Sequence, residues 1–147
     1  MNNHEAIMKL ALDEAALAVR EGNAPFACVV TDEAGNVVIK EHDRVNEYTD
    51  PTAHGEVNAI RALCKQLNKL SLREFTFYTT SEPCPTCMTS MIKAKVAQNF
   101  YGAKTEPAAS LPIPAEEIAR QSKKYPISVV GGILADECLE QRNRLLS

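Results

Sequence analysis

The chain has 147 residues, of which 45% are hydrophobic and 24% are charged, and its formal net charge is −3. This length suits a single domain over residues 1–147 that buries roughly two-thirds of its unfolded surface. The negative charge offers no general attraction to phosphate backbones, so nucleic acid is not the default partner. No run approaches the roughly 18 apolar residues of a membrane span. No export signal is visible, so a cytoplasmic setting is expected.

The first half of the chain predicts a helix, a hairpin and a second helix. Apolar residues recur at helical spacing over residues 4–21. Two strands follow, over residues 25–30 and from residue 37, and the turn-forming residues 32–36 between them predict an antiparallel hairpin. The second helix begins near His54, and its apolar face comprises Val57, Ile60, Leu63, Cys64 and Leu67.

The second half of the chain alternates strands with helices. Strands are predicted over residues 76–80, 96–102 and 127–134, and helices over residues 84–95, 114–124 and 135–146. Strands separated by helices are parallel neighbours joined by right-handed crossovers. We therefore expect an α/β fold. The predicted architecture is a three-layer α/β/α sandwich around a five-stranded mixed sheet. The sheet is expected to begin with the antiparallel hairpin and to continue with parallel strands.

Two cysteines, Cys84 and Cys87, form a closely spaced pair at the start of a predicted helix. The chain has five cysteines, so they cannot all pair within it. In a reducing compartment a Cys-x-x-Cys pair is more often a metal or redox site than a structural bridge. A helix N-terminus favours the thiolate in either case. For this pair alone, a redox dithiol of the thioredoxin kind is therefore an alternative to a metal site.

His54 and Glu56 stand at the entrance of the second helix. This helix and the one at Cys84 both follow extended segments, so their N-termini can converge at one edge of the sheet. One imidazole and two thiolates leave a fourth zinc position for water, whose pKa a catalytic zinc lowers to about 7. Glu56 can then move protons as both general base and general acid. A redox dithiol would leave the His54 segment unexplained.

Several other residues of these types are expected to have no chemical role. Three cysteines are predicted to be small buried apolar residues, and they are Cys28, Cys64 and Cys138. His4 and His42 are expected to do nothing more than lie on the surface.

A His-x-Glu segment followed by Pro-Cys-x-x-Cys is the signature of zinc-dependent nucleobase deaminases. The chain resembles the cytidine deaminase superfamily, especially the branch that holds guanine deaminase, yeast-type cytosine deaminase and bacterial tRNA adenosine deaminase. The similarity runs through residues 24–26, 50–56, 79–87 and 132–138. It implies a cytidine deaminase-like fold and a Zn²⁺ cofactor held by His54, Cys84 and Cys87. It also implies that Glu56 is the catalytic proton shuttle.

The resemblance further implies hydrolytic deamination, in which zinc-bound hydroxide attacks the ring carbon that bears the amino group and ammonia leaves. By similarity, the backbone N–H of Gly55 faces a substrate carbonyl, and the carbonyl of Ser81 accepts from the departing amine. Phe26 lies near the pocket by similarity, whereas its sequence context equally favours the core. Relatives form dimers or tetramers, so a homo-oligomer is expected, a dimer by similarity.

The sequence differs from the family pattern at one position, whose side chain usually hydrogen-bonds the base. Eleven residues before the zinc-binding histidine these deaminases usually carry an asparagine, and here the residue is Asp43. An ionised aspartate only accepts hydrogen bonds, so if Asp43 lines the pocket, either the base presents N–H donors there or Asp43 is kept protonated. Alternatively, if the match to the family's sequence pattern is shifted along the chain, Asn46 has this role and Asp43 lies on the surface.

A second departure concerns the loop after residue 103. The tRNA enzymes carry a Lys/Gly/Ser-rich loop there, which residues 104–114 replace in this chain. Together with the net negative charge, this favours a small nucleobase-like substrate. Guanine and isocytosine, which share a 2-amino-4-oxo ring edge, are the favoured candidates. A tRNA adenosine-to-inosine deaminase and a cytosine deaminase are the alternatives, and a non-catalytic zinc-stapled binding module is a third class.

Overall fold

The computed structural model describes residues 3–106, 109 and 111–146. Five strands lie within these residues, and they are β1 (Ala27–Thr31), β2 (Val37–His42), β3 (Thr76–Ser81), β4 (Gln98–Ala103) and β5 (Ser128–Val130). The helices are α1 (Asn3–Arg20), α2 (Val45–Tyr48), α3 (Gly55–Leu67), α4 (Pro85–Lys93), α5 (Ala115–Gln121) and α6 (Ala135–Leu146). No helix among the described residues is long and apolar enough to cross a membrane.

The strands form one mixed sheet in the order β2-β1-β3-β4-β5. Strand β1 pairs antiparallel with both β2 and β3. Strands β3, β4 and β5 are parallel to one another. The predicted five-stranded sheet, with a hairpin followed by parallel strands, is therefore confirmed.

Helices cover both faces of the sheet. Helices α1 and α6 pack on one face, and α3, α4 and α5 occupy the other. Successive residues of a strand point to opposite faces, and in β1 Val29 joins the core under α1 while Val30 joins the core under α3. Both are fully buried, as expected of a sheet covered on both sides. The predicted three-layer α/β/α sandwich is confirmed.

The last strand is shorter than predicted. It was expected to continue to Leu134, but it ends at Val130. A Cβ on Gly131 would lie 2.2 Å from the ring of Tyr101, so this backbone passes directly over the aromatic ring. Gly132 and Leu134 then take left-handed conformations, with φ of 94° and 52°, which depart from the extended backbone of a regular strand. The short helix α2 was not predicted, because its four residues contribute no buried side chain and so leave no apolar pattern.

Two of the three cysteines assigned to the core are buried. Cys28 is fully enclosed, and burial raises the pKa of its thiol well above the usual value. Cys138 is a residue of α6 and is buried in the core between that helix and the sheet. The prediction was wrong for Cys64, which is half-buried at the edge of its core.

The predicted surface position of His42 was also wrong. Its side chain is only 1% exposed, with Nδ1 2.5 Å from Glu14 and Nε2 2.9 Å from Glu21. These contacts join the end of β2 to helix α1. His4 is half-buried as well, and its Nδ1 lies 2.7 Å from the Tyr78 hydroxyl. The sequence hides both contacts because each partner is distant along the chain.

We expect His42→Ala to lower the free energy of unfolding by about 2–3 kcal/mol. Removal of the imidazole leaves the largely buried Glu14 carboxylate without this hydrogen-bond partner, which costs about 1–3 kcal/mol, and also leaves a cavity beside α1. Urea denaturation measures the change. Lys40→Ala, at an exposed site on the same strand, is the control and should change stability by less than about 0.5 kcal/mol. Equal effects of the two substitutions would contradict a role for His42 in joining β2 to α1.

Candidate active site

The sheet brings the functional segments to one of its edges. Strand β2 ends immediately before Asp43, and β1 begins immediately after Phe26. The pairing of β1 with β2 and β3 places the start of β1 beside the ends of both neighbours. Ser81 is the last residue of β3. Three segments that are distant in sequence therefore meet at this edge because of the strand directions.

Two helices begin at the same edge. His54 is the N-cap residue of α3, and Cys84 is the N-cap residue of α4. Both have extended backbone conformations, as residues at this position usually do. Pro85 at the first position of α4 fits the helix because proline lacks the N–H that would have no partner there. Cys87 lies in the first turn of α4 and faces the same point.

The ligand atoms of His54, Cys84 and Cys87 lie within 4.8 Å of one another. The Nδ1 atom of His54 is 3.5 Å from Sγ of Cys84 and 3.4 Å from Sγ of Cys87. Ligands held at about 2.0–2.3 Å in tetrahedral geometry are about 3.5 Å apart. Imidazole and thiolate are also ligands that zinc prefers. The three residues therefore fit three corners of a tetrahedral zinc site.

The pKa values of the three cluster side chains are shifted in opposite directions. Hydrogen bonding to Cys84 raises the pKa of His54 to about 9. Hydrogen bonding from Cys87, followed by that from His54, lowers the pKa of Cys84 to about 4. Hydrogen bonding to Cys84 and burial raise the pKa of Cys87 well above its usual value. Zinc binds neutral imidazole and thiolate, so binding of the ion releases protons from these groups.

Glu56 lies in the first turn of α3 and is 8% exposed. Burial raises the pKa of its carboxyl to about 7. A carboxyl with a pKa near neutrality can both take and return a proton under ordinary conditions. Glu56 is therefore suited to acid–base chemistry beside the cluster.

A cavity of about 260 Å³ opens beside the cluster. Six of the eight residues singled out from the sequence line it, and they are Phe26, Asp43, His54, Glu56, Ser81 and Cys84. The other two lie behind its wall. Cys87 is fully buried, and Gly55 packs so closely that a Cβ would lie 3.3 Å from the backbone nitrogen of Cys28.

Asp43, rather than Asn46, faces this cavity. Asp43 is 5% exposed, and its Oδ1 accepts a hydrogen bond from the backbone N–H of Val45 at 3.1 Å. The side-chain amide of Asn46 instead donates to the carbonyl of Gly22, and Asn46 does not line the cavity. The alternative register, with Asp43 on the surface, is therefore wrong.

Sequence reasoning missed residues from the second half of the chain that line the same cavity. Arg142 of α6 and Thr105 and Glu106 after β4 belong to this group. Glu82 also lines the cavity and accepts hydrogen bonds from the backbone N–H groups of Thr105 and Ala115, so it holds the loop in place. Thr105, Glu106 and Arg142 lie outside every motif, whereas Glu82 lies within residues 79–87, which carry the resemblance, but was given no role. Of the loop predicted to replace a tRNA-binding segment, Pro107, Ala108 and Ser110 lie outside the described residues.

Comparison with known proteins identifies the family. Residues 1–103 match the family model of the cytidine and deoxycytidylate deaminase zinc-binding region. The match covers well over half of the chain, and the chain belongs to this family. Its members are zinc-dependent hydrolases that act on C–N bonds, so the predicted enzyme class and the zinc cofactor are confirmed.

Individual relatives differ in what they act on. Guanine deaminase of Bacillus subtilis is 37% identical over 73% of this chain and 69% of its own length. A tRNA-specific adenosine deaminase of Aquifex aeolicus is 34% identical over 67% of this chain and 65% of its own length. A solved structure from studies of A-to-I editing by tRNA:A34 deaminases superposes with a TM-score of 0.82 at 27% identity, covering 92% of this chain and 98% of that one.

Proposed function

We propose that this enzyme deaminates a free nucleobase or a related small heterocycle, with guanine-like and isocytosine-like rings as the favoured substrates. One observation carries the proposal. A buried aspartate, Asp43, faces the same cavity as His54, Cys84 and Glu56. The predicted site residues thus have a shared space of about 260 Å³, which suits a single ring system better than a larger ligand.

The reaction exchanges an amino group for an oxo group. The chemistry that zinc supplies when bound by His54, Cys84 and Cys87 is Lewis acidity, which makes water a nucleophile at neutral pH. Glu56 takes a proton from the attacking water and delivers it to the adjacent ring nitrogen. The water oxygen bonds to the ring carbon and the C–N bond breaks. The second water proton leaves with the amine as ammonia, so the atoms balance.

The walls of the cavity orient the ring. The Ser81 carbonyl accepts from the departing amino group, and the Gly55 N–H faces a substrate carbonyl, both by similarity to the family. Phe26 contributes an apolar surface beside the ring. Asp43 accepts from ring N–H donors, since an ionised carboxylate offers no donor of its own. A 2-amino-4-oxo edge presents such donors.

The charge of the cavity supports a small substrate over RNA. Its wall includes four carboxylates, those of Asp43, Glu56, Glu82 and Glu106, against one arginine among the described residues. Binding of a phosphate backbone relies on Lys and Arg contacts, which such a surface does not supply. The single domain, the cytoplasmic setting and the homodimer remain predictions.

An ammonia-release screen tests the proposal. The zinc-loaded enzyme is incubated with about twenty aminated purines, pyrimidines and pterins, and with an adenosine-containing tRNA anticodon stem-loop. We expect ammonia from 2-amino-4-oxo rings. Release from the RNA alone would overturn the proposal and favour tRNA deamination. Release from none of them would favour a zinc-stapled binding module.

We expect Asp43→Asn to change the ranking of bases in this screen. Asparagine adds an N–H donor where only an acceptor stood, so bases with an acceptor at that edge gain relative to those with a donor. A hydrogen bond to a charged group is worth about 1.5–3 kcal/mol, which corresponds to a shift of about 10–100-fold in relative kcat/KM. Asn46→Asp is the matched control and should leave the ranking unchanged. If Asp43→Asn keeps the parental ranking, Asp43 does not select the base.

A further inference from the structure

Asn58 is a buried polar residue in the interior of helix α3. It is 7% exposed. Asparagine is unfavourable inside a helix because its side chain competes with the backbone for hydrogen bonds. Burial of its amide costs further free energy unless the amide finds partners. The contacts of this side chain must therefore offset both costs.

The side-chain amide of Asn58 bridges two carbonyls that belong to different segments. Its Nδ2 atom donates to the carbonyl of His42 at 2.9 Å and to the carbonyl of Ala53 at 3.1 Å. His42 is the last residue of β2, and Ala53 lies in the loop before α3. An asparagine amide nitrogen carries two N–H groups, so these bonds use both of them. A serine or threonine hydroxyl offers one donor, and an ionised aspartate offers none.

Each of these carbonyls directly precedes a residue of the candidate site. The first precedes Asp43, which faces the cavity, and the second precedes His54, the proposed zinc ligand. The proposed proton shuttle, Glu56, lies in the first turn of α3, two positions before Asn58. One side chain thus connects the backbone beside Asp43 to the helix that carries the catalytic residues.

Helix α3 also packs closely on the end of β2. A Cβ on Gly55 would lie 3.4 Å from Cα of His42, which is shorter than an optimal carbon–carbon contact. The first turn of the helix therefore touches the same residue whose carbonyl Asn58 holds. A packing contact and a hydrogen bond together fix the helix against the end of β2.

Other backbone bonds hold the Asp43 segment to parts of the protein outside α3. The N–H of Asp43 donates to the carbonyl of Phe26 at 2.9 Å, and the N–H of Arg44 donates to the carbonyl of Ala53 at 2.9 Å. Phe26 directly precedes β1, and Ala53 lies before the helix. These bonds should keep the segment folded when the Asn58 amide is removed. Its distance from α3 would then depend on packing.

We propose that Asn58 is a positioning residue that sets the distance between Asp43 and the zinc-binding cluster, and with it the spacing that a substrate ring must span. The inference rests on the proposed function, in which the attacked ring carbon lies at the cluster while another edge of the ring meets Asp43. Asn58 is not among the described residues that line the cavity, so it acts through Asp43. A misplacement of about 1 Å can cost about 10²-fold in rate.

A purely structural role for Asn58 would predict a loss of stability without a change in this distance. Asn99 provides the matched control, because it is a fully buried asparagine in β4. Its Nδ2 donates to the carbonyl of Phe77 at 3.2 Å and to the hydroxyl of Thr79 at 3.3 Å. Asn99→Ala thus removes two bonds of the same kind, away from β2 and α3.

The first experiment measures geometry by NMR on protein whose zinc site is loaded with Co²⁺, a paramagnetic ion that accepts the same ligands. Pseudocontact shifts of backbone amides depend on their distance and direction from the metal. We expect Asn58→Ala to change the shifts of Asp43 and Arg44, while the amides of β4 keep theirs and so report an intact metal site. Asn99→Ala should leave the shifts of Asp43 and Arg44 unchanged.

The second experiment measures steady-state kinetics of the zinc-loaded enzyme with guanine and adenine. Loss of a contact that binds ground state and transition state equally raises KM with kcat little changed. For guanine we expect Asn58→Ala to raise KM by about 10–100-fold, as for loss of a hydrogen bond to a charged group. In this background Asp43→Asn should change the guanine-to-adenine ratio of kcat/KM by less than about threefold, since the two residues act together.

The outcomes are distinct. Unchanged shifts at Asp43 and Arg44 in Asn58→Ala, or equal changes in Asn99→Ala, overturn the proposal. Changed shifts with an unchanged KM for guanine, in an enzyme that deaminates it, also overturn it. If the parent enzyme releases ammonia from no base, the proposed function fails, and the shifts alone then decide whether Asn58 sets the distance. If Asn58→Ala does not fold, Asn58→Ser keeps one donor and should change the same shifts by less.

Discussion

Replacement of Glu56 by glutamine should abolish ammonia release while zinc remains bound. Glutamine keeps the size of the side chain but cannot take up or return a proton. A positioned general acid–base group contributes about 10²–10⁴-fold to a rate, and in the proposed mechanism Glu56 serves both proton transfers, so we expect a loss toward the upper end of this range. The amide should still fit the buried site in the first turn of α3. Steady-state kinetics and zinc content, measured on the same preparation, test both halves of the prediction.

Glu117→Gln is the matched control. Glu117 also lies in the first turn of a helix, α5, but it is exposed and pairs with Arg120. Its variant should retain parental activity. If Glu56→Gln released ammonia within tenfold of the parental rate, Glu56 would not be the proton shuttle. If it lost zinc instead, its role would be to support the metal site.

Replacement of Cys87 by alanine should remove both zinc and activity. Cys87 is fully buried, so neither water nor another described side chain at the surface can readily take its place. Outer partners of metal ligands alone change metal affinity by about 10–100-fold, and loss of a ligand should exceed this. Zinc content should fall from about one ion per chain to a small fraction of one.

The same substitution should uncouple stability from zinc. A ligand present at a thousand times its Kd stabilises the native state by about 4 kcal/mol, so a chelator should lower the Tm of the parent protein but not that of Cys87→Ala. Cys64→Ala is the control, since Cys64 is half-buried and outside the cluster. It should keep its zinc and its response to the chelator. Full zinc content in Cys87→Ala would exclude Cys87 as a ligand.

The local part of the candidate site was predictable from the sequence. The separation between Cys84 and Cys87 is about one helical turn, so their side chains share a face wherever that helix packs. His54 and Glu56 are likewise two residues apart at a helix entrance. Such geometry depends on short-range backbone preferences, and the structure brings both segments to one cavity as expected.

The alternation of strands and helices was predictable for a similar reason. Periodicity and turn residues are local, and right-handed crossovers leave few topologies for such a chain. The end of β5 was not predictable. The backbone leaves the sheet where Gly131 passes over Tyr101, and that contact depends on a residue thirty positions earlier.

The tertiary structure alone decided which polar side chains are buried together. The sequence suggested a surface position for His42, but the fold places it between Glu14 of α1 and Glu21, which directly follows that helix. The direction in which the chain leaves β2 places Asp43, rather than Asn46, on the wall of the cavity.

The sequence by itself determined the chemical class and predicted the zinc ligands and the proton shuttle, because closely spaced residues carry these features. Arg142 belongs to an ordinary amphipathic helix in the sequence, and only the packing of α6 against the ends of β3 and β4 makes it part of the cavity. The lining of the cavity therefore depends on long-range contacts, since its opposite walls come from segments that the chain brings together only when it folds.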